Sequence, residues 1–583
     1  IYTLVAEMMG METITQTNIK VAVNATTNIK LVMRIAGAEY VESIIAEGIS
    51  VDTRSVTVKS VIEAEMTERL PGSDDLYAAY SMSGGITGGG NVNSSNIGSG
   101  LPANHPPPST EEYDAVSGQK YQNVIDMPLS TFSIDVDTAS YANARRMLNS
   151  GYAPLPESVR IEEFINYFTY DYPQPENDED AFSVNYEVST CPWDTSHRLV
   201  HIGIQGRKID MDEAPPGNFV FLIDVSGSMN NHNKLPLLKK GFKLLVNELD
   251  EDDTISIVTY AGHEGLALPA TSGADKDIIL KALDNLRSGG STAGAAGIRL
   301  AYQIAQENFI EGGNNRVILA TDGDFNVGIR SDDDMIKLIE EKRKSGVFLS
   351  TLGFGMGNYK DSKMEKLADH GNGNYSYIDN IREARKVLVT EMGGTLLAIA
   401  KDVKLQVEFN PAKVDSYRLI GYENRILATE DFDDDTKDAG ELGAGHTVTA
   451  LYEIVPAKSA PRKGGHSMYR YQSHVMSEEA MEGNELFNLK LRYKQPDGHV
   501  SRLIEMPLKN KVVRLKRTSD NYRFSAAVAL FGMLLRQSEY AGDGTFEMVL
   551  DLASDSLGDD EFGYRAEFLR LVEETQLMDE VGR

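Results

Sequence analysis

The sequence predicts a multidomain α/β protein: a doubly wound α/β domain with flanking β-sandwich domains and a helical C-terminal segment. Three observations carry this expectation. At 583 residues the chain is too long for one hydrophobic core, so it divides into several folded units. In its middle third, near-continuous apolar runs (RLVHIGIQG, NFVFLIDV, TISIVTYA, RVILATDG, VFLSTLGFG) alternate with amphipathic stretches such as LPLLKKGFKLLVNEL, AAGIRLAYQIAQ and DMIKLIEEKRK. That alternation describes a mostly parallel sheet covered by helices on both faces. On either side of it the hydrophobic period falls to two, the mark of half-buried antiparallel strands.

Taken in order, residues 1–60 carry short alternating runs, YTLVAEM, IKVAVNA and IKLVMRI, between small polar turns, and read as a β-sandwich. The chain opens at Ile1 inside a strand and without an initiator methionine. The expectation is therefore an upstream leader that exports the protein and could carry a lipid anchor. Residues 61–122 turn to Gly, Ser, Asn and Pro (SMSGGITGGGNVNSSNIGSGLPANHPPPST), too poor in large apolar side chains to offset the entropy of ordering, and read as a flexible linker.

Residues 123–195 predict two packed helices, one capped by Asp137–Thr138 and running through Tyr141, Ala144 and Met147, the other opened by Pro156–Glu157. The paired acids Asp135/Asp137 and Glu162/Glu163 are explained by capping and solvated faces without invoking catalysis. The doubly wound domain then occupies 196–397. A β domain follows over 398–515, with VKLQVEF, TVTALYEIV and a hairpin around Pro496–Asp497–Gly498. Helical spacing returns over 516–583, in NYRFSAAVALFGMLLRQSEY and YRAEFLRLVEETQLM, and these helices are expected to pack back onto the folded body.

Composition excludes several function classes. A formal net charge of −30, from 87 Asp+Glu against 57 Lys+Arg, argues against a phosphate-binding surface, so nucleic acid is not an expected partner. The single cysteine, Cys191, supports neither an internal disulfide framework nor a cysteine-based zinc site. No apolar run approaches the roughly 18 residues of a membrane span. The histidines stand singly, without H-E-x-x-H, and no G-x-S-x-G or phosphate-binding glycine loop with its lysine occurs. The acidic run 431–435 lacks the EF-hand spacing and reads as a solvated loop, while Trp193 reads as core or junction packing.

One constellation remains. The strand NFVFLIDV ends in Asp224-x-Ser226-x-Ser228, at the carboxyl edge where doubly wound sheets bind ligands. GGSTAG places Ser291 and Thr292 in the loop before a helix, and LATDGD places Asp322 at the end of the next core strand. Carboxylate and hydroxyl oxygens converging there suit a hard divalent cation, Mg²⁺ first, with Mn²⁺ or Ca²⁺ as alternatives. With only two charged ligands the cation keeps most of its electrophilic character and can accept one more carboxylate from outside.

Asp224, Ser226, Ser228, Thr292 and Asp322 match, in order, the five elements of the metal-ion-dependent adhesion site (MIDAS) of the von Willebrand factor A (VWA) family, which the sequence resembles here. The resemblance implies that the serines and the threonine contact the metal and that the aspartates act partly through water. DTASYANARRML with VRIEEFINYF, then this domain, then the β region, resemble the bacterial VWA proteins of the YfbK-like envelope family over roughly 125–580. At the N-terminus, YTLVAEMMGMETITQTNIKV is similar to carboxypeptidase-regulatory-like domains of Gram-negative envelope proteins, with Met11 where an aromatic is usual. The expected function is a non-enzymatic, metal-dependent protein-binding module of the cell envelope, periplasmic or at the outer-membrane surface, which binds an Asp or Glu of its partner. The alternative is an intracellular VWA subunit of an AAA+ ATPase in complex assembly or metal insertion.

Overall fold

The computed structural model describes the five strands within residues 2–60, and residues 110–582 except 115–117, 135–136, 178–179, 210–214, 262–264, 290–293, 324–331, 392–397, 438, 459–475, 497 and 499. The chain divides into two compact units, Ile1–Leu101 and Pro102–Arg583. In the first, β1 (Tyr2–Ala6) pairs antiparallel with β2 (Ile14–Ile19), and β3 (Thr27–Met33), β4 (Ile44–Val51) and β5 (Lys59–Ser60) form a second antiparallel group. The linker reading of 61–109 lies outside the described residues.

The second unit begins with two short strands, β6 (Gln122–Asn123) and β7 (Leu129–Ser133), then helices α1 (Ala139–Asn149) and α2 (Ile161–Asn166). Strands β8 (Phe182–Thr190) and β9 (Arg198–Gly206) follow. The expected linker does not extend through 122. Glu112 bridges to Lys360, β6 pairs with a strand of the later β region, and the Tyr121 ring packs edge-on against His197 and Tyr540. Aromatic and charged side chains after Pro108 make these contacts.

The doubly wound domain contains β10 (Gly217–Asp224), α3 (Leu235–Glu248), β11 (Thr254–Tyr260), β12 (Gly265–Ser272), α4 (Lys276–Asn285), α5 (Gly294–Glu307), β13 (Asn314–Thr321), α6 (Asp332–Arg343), β14 (Phe348–Phe354), α7 (Asp361–His370), β15 (Tyr375–Ile378) and α8 (Ile381–Arg385). Its sheet runs β12-β11-β10-β13-β14-β15, parallel except for the antiparallel edge strand β12. Along β10 the side chains alternate between two cores. Phe219, Phe221 and Ile223 meet α3, α4 and α8, while Val220 and Leu222 meet α5 and α6. Burial on both faces explains why these strands read as unbroken apolar runs.

The β region is a sandwich assembled from both sides of this domain. One sheet runs β6-β17-β19-β9-β8, with β17 (Val414–Ile420) and β19 (Thr447–Pro456). The other joins β18 (Gly440–Gly443), β16 (Ala398–Phe409), β20 (Glu485–Lys494) and β21 (Arg502–Lys509), with β7 pairing along β16. β20 and β21 form the expected hairpin. The strand RLVHIGIQG, expected as the first of the doubly wound sheet, is β9 and lies in the sandwich between β8 and β19. Val200, Ile202 and Ile204 face the sandwich core, and Leu199 belongs to the helical core behind it. Cover on both faces gave it the apolar continuity of a parallel strand.

That helical core joins α1 and α2 to α10 (Asp520–Leu535), α11 (Phe546–Ser554) and α12 (Tyr564–Gly582); a short α9 (Glu478–Glu482) precedes β20. The helices of 123–195 and of 516–583, assigned to separate regions by their distance in sequence, therefore share one core. Trp193 is buried there, its indole N–H donating to Glu453 Oε2 at 3.1 Å. Asp137 is not a helix cap: its carboxylate accepts from the Tyr375 backbone N–H at 2.8 Å and from Arg425 at 3.0 Å. Glu162 and Glu163 are buried rather than solvated, and Glu163 instead caps α1 by accepting from the Ser140 amide at 2.8 Å. Asp135 lies outside the described residues. Among the described residues no helix is long and apolar enough to cross a membrane.

Candidate metal centre

β10 and β13 are adjacent central strands, in register from Gly217 opposite Asn314 to Ile223 opposite Ala320, so their carboxyl ends leave the sheet together. Asp224 is the last residue of β10, and Asp322 follows the end of β13; both are fully buried. Asp224 Oδ1 accepts from the Ser226 backbone N–H at 2.8 Å, which turns the chain sharply after the strand, and Oδ2 accepts from the Thr321 hydroxyl at 2.8 Å. Burial pushes the Asp224 carboxyl above the usual carboxylate range, the Ser226 amide opposes this, and the nearby Asp322 adds to it.

The turn continues into a single 3₁₀ turn, Gly227–Asn230, anchored by the buried Met229. It brings Ser226 Oγ and Ser228 Oγ to 2.9 Å of each other. Ser226 is 5% exposed and Ser228 is exposed, so the site grades from sealed carboxylates to hydroxyls facing solvent. Two oxygens at this separation fit neighbouring positions on an octahedral cation with metal–oxygen distances of about 2.0–2.1 Å. The structure brings together Asp224, Ser226, Ser228 and Asp322 of the expected set. Thr292 and its neighbour Ser291 lie outside the described residues.

Two further residues join the site without a signal in the sequence motif. Lys234, just before α3, donates from Nζ to Asp322 Oδ2 at 2.8 Å and to Asn358 Oδ1 at 2.9 Å. Asn358 donates in turn to Asp322 Oδ2 at 3.3 Å. The loop bearing Asn358 is strapped from outside by residues 110–112: Thr110 N donates to Gly357 O at 2.7 Å, Glu112 N to Tyr359 O at 3.0 Å, and Glu111 accepts from the Gly357 amide at 2.7 Å.

A second group of potential ligands, Asp194, His197 and Glu453, converges at the junction of the sandwich and the helical layer. His197 Nδ1 lies 2.6 Å from Glu453 Oε1, but Glu453 Oε2 already accepts from Arg418 at 2.7 Å and from Trp193. A guanidinium in direct contact with the principal carboxylate makes this a structural ion-pair network rather than a cation site.

The sheet order, the two helical covers and the carboxylate–hydroxyl turn at the end of the central strand define a VWA domain, and the family profile described as von Willebrand factor type A domain matches residues 218–389. Two other profiles flank it: one described as von Willebrand factor over 107–201, and one for the C-terminal region of uncharacterized protein YfbK over 394–578. Uncharacterized protein YfbK of Escherichia coli (strain K12) is 45% identical over 472 residues, covering 80% of this chain and 81% of that protein. The chain belongs to the YfbK family of VWA proteins.

A more distant relative, uncharacterized protein sll0103 of Synechocystis, is 29% identical over 190 residues, 33% of this chain and 44% of that protein. Among solved structures, a von Willebrand factor type A protein from Catenulispora acidiphila aligns over 67% of this chain and 90% of its own, at 14% identity and a TM-score of 0.36.

Proposed function

We propose that this protein is a non-enzymatic, divalent-cation-dependent protein-binding module of the bacterial cell envelope. Asp224, Ser226, Ser228, Thr292 and Asp322 would hold Mg²⁺, or Mn²⁺ or Ca²⁺ in its place, and an Asp or Glu of a partner protein would complete its coordination. The observation that carries this reading is the pair of serine hydroxyls 2.9 Å apart, the buried Ser226 and the exposed Ser228, beside two buried carboxylates at the ends of adjacent strands. With two charged ligands a bound divalent ion remains electrophilic toward an external carboxylate. Placement in the envelope rests on the N-terminal segment's similarity to carboxypeptidase-regulatory-like domains and on the Gly/Ser-rich stretch that follows it.

The test is retention of envelope proteins by the immobilised full chain in Mg²⁺ and in EDTA, with bound proteins identified by mass spectrometry. A partner retained in Mg²⁺ should be released by EDTA and be lost, at least about tenfold, on Ser226→Ala, while the variant's thermal midpoint moves little. Identical retention by Ser226→Ala, or with EDTA, would sink the reading. Fractionation of cells expressing the full-length gene tests the location.

A further inference from the structure

Lys234 is 3% exposed, and its ammonium is seated between Asp322 and Asn358 at 2.8 and 2.9 Å. Its aliphatic stem is walled by the backbone of Gly355, which adopts φ +85°. A Cβ at Gly355 would lie 2.2 Å from Lys234 Cε and 2.7 Å from Cγ, so the loop after β14 is shaped around this side chain. A buried ammonium is costly unless paired, and this one is paired with an aspartate of the metal-binding motif itself.

The charge count at the site follows. Among the described residues of the site, Asp224 and Asp322 contribute two negative charges, which one divalent ion would neutralise. Lys234 adds a positive charge, so the described residues with one divalent ion carry a net charge of about +1 rather than zero. Resting on the metal-dependent reading above, we propose that Lys234 is a built-in cation of the site, which weakens divalent-ion binding at rest and leaves the loaded site positive toward an incoming carboxylate. Ion and acidic partner then bind with positive coupling, each weak alone and each strengthening the other. The expected ligand is an acidic side chain on a protein, since a neutral donor would leave the excess charge in place.

The test is Mn²⁺ binding to the full chain at fixed pH, read from the electron paramagnetic resonance of free Mn²⁺. Lys234→Met keeps the apolar stem and removes the charge; it should bind Mn²⁺ at least about tenfold more tightly than the wild type. Lys234→Arg should stay within about twofold. The double variant Lys234→Met/Asp224→Asn should lose the gain, which locates the ion at this site. Lys234→Gln, which retains a donor to Asp322, reports the same quantity should the methionine variant fail to fold. Equal or weaker binding by the uncharged variants, where the wild type binds, overturns this inference alone, as does a gain that survives Asp224→Asn. Binding by the uncharged variant and none by the wild type upholds the role of Lys234 and overturns a resident ion. No binding by any of them overturns both.

Discussion

Glu162 sits on α2 with its Oε2 buried and without a hydrogen-bond partner among the described residues, close to Glu423, whose Oε2 is in the same condition. Burial, with Glu423 and Glu163 adding repulsion, pushes its carboxyl up to about 8. The folded state thus binds a proton that the unfolded state releases above its ordinary carboxylate range, so this group favours folding at low pH and loses that contribution as pH rises toward 8. Stability should fall between about pH 5 and 8 by at most about 1.4 kcal/mol per pH unit from this group. Glu162→Gln, which cannot ionise, should flatten that slope and raise the thermal midpoint at pH 8 relative to the wild type; parallel pH profiles for the two proteins would refute the assignment. At this scale the sequence was most legible where the chemistry is local. Asp224, Ser226 and Ser228 follow one another in a single turn, whereas Lys234 and Asn358 meet only because α3 and the loop after β14 both start from the site's edge of the sheet. Glu162 and Glu163 looked solvated because a six-residue helix with acids in its first turn carries no trace of the α10 layer that buries it.

Between elements, the strap formed by residues 110–112 has the most direct bearing on the site. It adds backbone hydrogen bonds to the 357–361 loop, and Glu111 ties that loop to Arg146 of α1 at 2.9 Å. Glu111→Ala removes the acceptor of both the Arg146 guanidinium and the Gly357 amide. The Gly357 amide should then exchange with solvent about tenfold faster, while strands β10 and β13 keep their protection; unchanged exchange at Gly357 would show that the strap does not hold the loop. The strap went unread because its composition continues the polar linker and its partners lie some 250 residues away, as Thr110 and Gly357 do. β9 was misplaced for the opposite reason. Its apolar pattern was clear, but periodicity reports burial on both faces and not whether a helix of the α/β domain or α10 does the burying.

At the scale of the molecule, the VWA domain is an insertion. The chain leaves the sandwich at Gly206 and returns at Ala398, and the two crossings lie together: a Cβ on Gly206 would be 3.1 Å from Ile399 Cδ1. Buried ion pairs fasten the insert to the rest, Arg145 with Asp379 and Glu383, and Arg160 with Glu365 at 3.0 Å. A fragment spanning 215–391 contains both cores of its own sheet and should fold alone, with a thermal midpoint below that of the same domain in the full chain. A chain ending at 391 keeps β7, β8 and β9 without β16 and β19 and should aggregate, as size-exclusion chromatography would report. The fold class was readable because the α/β elements and the sandwich strands have different hydrophobic periods; their interleaving was not, because strand pairing across an inserted domain leaves no local mark.

The insertion also sets a timetable. On a translating ribosome, β9 emerges about 240 residues before its neighbour β19. At about 5–20 residues per second this leaves roughly 12–50 s in which a half-made sheet has an open edge. The VWA domain can complete itself during that interval, so Asp224, Ser226, Ser228 and Asp322 are brought together on a nascent chain before the body that carries them exists. The unpaired strands must meanwhile be kept apart from other chains.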